Sequence, residues 1–195
     1  MRRERLTVNE ELRRRLMNSC ILRDSGPGEA GHEPHGLRNI ILIGMPGSGK
    51  STISRILSRD HGFKPVDADE EFQKTYGITP AECITRFGEP EFRRRESEVL
   101  TKLKPDSRAC IATGGGAVTV PGNLEILKKL GFIVYLKRDL EKLSTKGRPL
   151  SAGKGVEKLF EERGALYTEW ADAEVENISL RDAAGRIMEL YRENA

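Results

Sequence analysis

Cysteine is scarce in this chain. Three residues in 195, Cys20, Cys83 and Cys110, lie far apart and are odd in number. They offer neither a disulfide framework nor a zinc pattern, so reduced thiols in a cytoplasmic setting are expected. Long apolar runs are missing too. No stretch approaches the ~18 residues needed to span a bilayer, and the arginine-rich start lacks the apolar segment of a secretory signal. Nor does either sign of charge dominate. The formal balance of +3 is too small to argue for nucleic acid or a membrane surface, although it suits an anionic ligand. What remains is 37% hydrophobic and 32% charged residues, the make-up of a soluble globular protein of one domain with an appendage.

The appendage is residues 1–38. Thr7-Val8-Asn9-Glu10 has the form of a capping box, and Leu6, Leu12 and Leu16 share one face of a short helix. Residues 24–36 then collect glycines and prolines with His32 and His35, which is linker composition. No Cys or carboxylate framework accompanies those histidines, so a tail is favoured over a metal site.

From residue 39 the pattern alternates between strand and helix, the mark of an α/β fold with a mostly parallel sheet. Strands are predicted at 39–44, 63–66, 109–113, 132–136 and 175–179. Helices are predicted at 50–60, 69–76, 79–87, 90–103, 121–130, 140–146, 155–167 and 182–192. Between the first strand and the first helix stands Gly44-Met45-Pro46-Gly47-Ser48-Gly49-Lys50-Ser51-Thr52, which fits G-x-x-x-x-G-K-[ST]. Glycines let successive backbone N–H groups and a helix amino terminus converge on a phosphate. Gly47, Ser48, Gly49, Lys50, Ser51 and Thr52 are therefore the expected ATP-binding residues. Lys50 would reach the terminal phosphates and Ser51 would ligate Mg²⁺.

In sheets of this kind ligands gather at the carboxyl ends of the strands. After the second strand come Asp67 and Asp69, two carboxylates able to divide the work between metal support and a substrate hydroxyl. The alternative there is an ordinary turn with Asp69 as helix cap. The run at 109–113 carries no acid, which leaves Asp67 as the carboxylate for the metal. After the third strand come Gly114, Gly115 and Gly116, whose missing side chains allow close backbone approach. Arg93, Arg94 and Arg95 follow one another on a helix at ~100° intervals, so they cannot all face one site. At least one should face solvent or pair with Glu91, Glu96 or Glu98. Residues 146–155, rich in glycine and cations, suit a lid, and Arg163 is a second candidate anion anchor.

Together these pieces resemble the shikimate kinases: 44–52, Val66-Asp67-Ala68-Asp69, Gly88-Glu89-Pro90-Glu91-Phe92-Arg93, 113–118, Arg148-Pro149-Leu150 and 163–167, in family order. The resemblance implies a three-layer sandwich around a five-stranded parallel sheet of P-loop kinase type, with a substrate-binding segment and a lid. It implies ATP-dependent phosphorylation of the shikimate 3-hydroxyl, with Mg²⁺. A monomer without a nucleic-acid or membrane partner is expected. Arg93 and Arg163 would hold the shikimate carboxylate, and Asp69 with Gly114, Gly115 and Gly116 the ring hydroxyls. Lys50 and Arg148 would neutralise the phosphoryl group in transfer, and Ser51 with Asp67 would support the metal. The chain departs from the family in a short lid, in Ser151 after Leu150, and in Ser144-Thr145-Lys146 where many members carry an arginine. Two other readings stay open: a P-loop kinase of another small hydroxylated acid, and a nucleotide-binding module without catalysis.

Overall fold

The computed structural model describes residues 39–103, 108–143 and 155–194. The expected helix and linker of residues 1–38 and the lid stretch 144–154, Arg148 included, lie outside the described residues. Five strands form one parallel sheet: β1 (Asn39–Ile43), β2 (Lys64–Asp67), β3 (Ala109–Ala112), β4 (Gly131–Lys137) and β5 (Ala173–Glu176), in the order β2-β3-β1-β4-β5. Among the described residues six helices flank it: α1 (Lys50–His61), α2 (Ala68–Tyr76), α3 (Pro80–Lys102), α4 (Gly122–Leu130), α5 (Val156–Trp170) and α6 (Leu180–Asn194).

β1 is buried from end to end because both its faces are covered. Ile41 and Ile43 point into one apolar layer with Ile133, Tyr135, Leu127, Leu159 and Trp170. Ile40 and Leu42 point into the other with Val134, Leu136, Ile53, Leu57 and Ile187. The period-two alternation of the strand thus feeds two helical layers, and the expected three-layer sandwich follows. Each fully buried Ile or Leu contributes about 1.5–3 kcal/mol.

Local chemistry sets the helix ends. Gly62 and Gly77 close α1 and α2 in left-handed conformations. Thr79 and Glu82 form a reciprocal capping box at the start of α3, with Pro80 at the first helical position. The two helices predicted at 79–87 and 90–103 are one element broken at Gly88, whose φ of 83° and ψ of 165° are not helical. Pro90 lacks the N–H that a continuous helix would need, so the chain restarts there and swings Arg93 and Glu96 toward the sheet. Further adjustments are small. The fifth strand ends at Glu176, and of the helix predicted at 140–146 the described part is one 3₁₀ turn, Leu140–Lys142.

Candidate active site

β1 ends beside β3 and β4, so the loop that follows it opens where the sheet order reverses. Gly49 caps α1 with φ 104°, a left-handed conformation that suits glycine. α1 has no side-chain cap and no acid in its first turn, which leaves its amino-terminal N–H groups for an anion. Lys50 is buried and donates to the carbonyls of Gly44 at 2.8 Å and Met45 at 2.9 Å. Ser51 Oγ donates to Asp67 Oδ2 at 2.6 Å, a contact across 16 residues of sequence. Asp67 also accepts from the Asp69 N–H at 3.0 Å, so Asp67, not Asp69, caps α2. That correction sharpens the division of labour. Asp67 is tied to Ser51, while the Asp69 side chain leaves the cap and lines the cleft.

The opposite wall comes from α3, α5 and the glycine turn. Arg93 is buried, with Nη1 donating to Glu96 Oε2 at 2.7 Å and Nη2 to Glu89 Oε1 at 3.2 Å. Its two neighbours go elsewhere: Arg94 pairs with Glu91 and Glu98, and Arg95 pairs with Glu91 and lies over the Tyr76 and Phe87 rings. The expected split of the three arginines therefore holds, with Arg93 the inward one. Arg163 is 2% exposed and lines the same cleft.

The three glycines are where they are because nothing larger fits. A Cβ on Gly114 would lie 2.2 Å from Glu96 Oε1, one on Gly115 2.6 Å from the Pro46 ring, and one on Gly116 2.0 Å from Arg93 Nη2. The turn is thus clamped between the P-loop and the buried ion pair. Tyr167, one helical turn beyond Arg163, donates its hydroxyl to the Gly115 carbonyl.

One cleft of ≈ 450 Å³ holds Lys50, Ser51, Asp67, Asp69, Arg93, Glu96, the glycine turn and Arg163. Burial pushes the Glu96 carboxyl up, against the pull of Arg93; Asp69 and Arg163 act on it as well, the first raising and the second lowering. Four charged groups therefore meet at one end of the cleft. Three buried polar atoms there, Arg93 Nε, Glu96 Oε1 and Arg163 Nε, have no hydrogen-bond partner in the protein. Two guanidinium groups at one end of the cleft suit a small carboxylate. Facing them are the phosphate-binding groups. The arrangement is built to bring two ligands together.

Several participants were not picked out from the sequence. Asn177, first after β5, donates to the Ser48 carbonyl at 2.6 Å and buttresses the P-loop. Arg138, first after β4, lines the cleft, as does Pro46. Asn177 and Arg138 obey the strand-end rule that found the aspartates. The sequence offers nothing beyond that position to mark them.

A shikimate kinase family model matches residues 46–191. A shikimate kinase of Methylococcus capsulatus is 36% identical over 168 residues, covering 80% of this chain and 94% of that protein. One from Clostridium botulinum is 40% identical over 141 residues, covering 67% and 83%. Among solved structures, the shikimate kinase from Acinetobacter baumannii in complex with shikimate superposes with a TM-score of 0.75. It is 36% identical and covers 81% of this chain and 94% of that one. The enzyme from Aquifex aeolicus gives a TM-score of 0.67 at 32% identity, covering 80% and 96%.

Proposed function

This chain belongs to the shikimate kinase family, and we propose that it transfers the γ-phosphoryl group of ATP to the 3-hydroxyl of shikimate. The products are shikimate 3-phosphate and ADP. The observation that carries the reading is the two-sided cleft, with the phosphate-binding loop on one wall and two buried arginines on the other.

The acceptor carboxylate docks on Arg93 and Arg163, which fixes the ring beside Asp69 and the glycine turn. Asp69 accepts the proton of the attacking hydroxyl as its oxygen bonds to the γ-phosphorus and the bond to the bridging oxygen of ADP breaks. Lys50 leaves the Gly44 and Met45 carbonyls to compensate charge on the transferring group, and Arg148 is assigned to the same charge from the family motif. Ser51 Oγ and the Asp67 carboxylate are hard oxygen donors of the kind Mg²⁺ takes, and the 2.6 Å hydrogen bond between them would open to admit it. Among the described residues no cluster of three or more His, Cys, Asp or Glu forms a metal site. That fits an ion that takes its other ligands from phosphate and water. Bound there, the ion would neutralise charge on the phosphates.

The same reading takes 39–195 as the kinase domain, 1–38 as an extension to it, and the enzyme as a cytoplasmic monomer. Among the described residues no helix is long and apolar enough to cross a membrane. The test is a coupled ADP-release assay with ATP, Mg²⁺ and shikimate. Shikimate-dependent turnover is expected, and its absence would reject the reading.

A further inference from the structure

We propose that Arg138 is a nucleotide-binding residue whose guanidinium holds phosphates of the donor against the amino end of α1. The proposal rests on the reading of the P-loop as the ATP site and adds to it a cation from a different strand.

Position comes first. Arg138 directly follows β4, which pairs with β1 in register up to Ile43 opposite Tyr135. Continuing that register brings Arg138 level with the P-loop. Its Nη1 lies 3.9 Å from where a Cβ on Gly49 would stand, so the guanidinium sits beside the cap of α1. Asn177 Nδ2 and Leu180 Cδ2 approach the same point at 2.6 and 3.2 Å, and Arg138 is half-buried.

Electrostatics comes second. Arg138 Nε is buried and has no hydrogen-bond partner, and none of the ion pairs among the described residues near it involves this side chain. The nearby cations differ: Lys137 pairs with Glu174, and Lys142 with Asp139 at 3.8 Å. A helix amino terminus carries roughly half a positive charge. A guanidinium without a counter-ion beside it is unfavourable, and an anion between the two relieves both. The planar two-donor fork of arginine matches phosphate oxygens. Arg138 lines the cleft that holds Lys50, Ser51 and Thr52, so a phosphate bound by the loop lies within the same space.

The experiment compares the full chain with Arg138→Met, which keeps bulk and loses charge, and Arg138→Lys, which keeps charge and loses the fork. ADP binding is measured by calorimetry, inorganic pyrophosphate is used as a competitor, and KM is found for ATP and for shikimate. Expected for Arg138→Met is ADP binding weaker by about 10-fold or more, the range of a charge-assisted hydrogen bond. Pyrophosphate should weaken in parallel and KM for shikimate should stay put. Arg138→Lys should fall between Arg138→Met and the unaltered protein. ADP affinity in Arg138→Met equal to that of the unaltered protein overturns the proposal, and so does weakened ADP with unchanged pyrophosphate. If the unaltered protein itself binds no ADP, the P-loop reading fails before any variant is considered. That separates the two outcomes.

Discussion

Replacing Gly116 by alanine is a steric test of the acceptor half of the site. The φ of −105° and ψ of 4° at Gly116 are open to alanine, so the backbone carries no penalty and only space objects. The new methyl would stand 2.0 Å from Arg93 Nη2 and 2.2 Å from Cζ. Carbon and nitrogen rest comfortably at about 3.5 Å or more, so the guanidinium must retreat by about 1.5 Å. An exposed arginine would make that move freely. Arg93 is held instead by Glu96 at 2.7 Å and Glu89 at 3.2 Å, and its guanidinium lies over the Phe92 ring at 4.9 Å. Retreat breaks at least one charge-assisted hydrogen bond, about 1.5–3 kcal/mol, and removes the donor fork from the substrate carboxylate. KM for shikimate should therefore rise by about 10- to 150-fold while KM for ATP changes little. The assay is steady-state ADP release with each substrate varied. Gly122→Ala serves as control, since nothing lies within 4 Å of its Cβ position. A KM for shikimate unchanged in Gly116→Ala, or an equal rise in both KM values, would refute the reasoning.

Asp69→Asn should lower kcat by about 10²–10⁴-fold, the range of general base catalysis, and spare ATP binding; a matching loss of ATP affinity would count against its acceptor role. Asn177→Ala strips the donor from the buried Ser48 carbonyl, so urea unfolding should show a loss of about 1–3 kcal/mol and KM for ATP should rise. The pH response follows from Glu91, held at about 2 by hydrogen bonds from Arg94 and Arg95. Its folded value lies below the unfolded one, so its stabilisation is complete above about pH 4.5 and is lost as pH falls toward 2. Urea midpoints across that window should fall less steeply in Glu91→Gln than in the unaltered protein.

The donor half of the site was largely legible in the chain. Phosphate binding by backbone N–H groups needs contiguous residues at fixed spacing, so residues 44–52 announced themselves before any fold was known. The alternation of apolar runs fixed the α/β class for the same reason, since helix and strand periods are local properties. The kink at Gly88 was half visible: the two predicted helices stopped on either side of it. The direction in which it aims Arg93 was not, because that depends on α3 packing against α2.

What the sequence determined by itself was local: the P-loop, the glycine turn and the limit that three consecutive arginines cannot all face one site. What only the tertiary structure decided was which distant groups meet. Ser51 finds Asp67 across 16 residues, Tyr167 finds Gly115 across 52 and Asn177 finds Ser48 across 129. The glycines show the difference most plainly. Their spacing is written in the chain, but the reason for it, the Glu96 carboxylate, the Pro46 ring and the Arg93 guanidinium standing where side chains would be, exists only after the fold has brought three segments together.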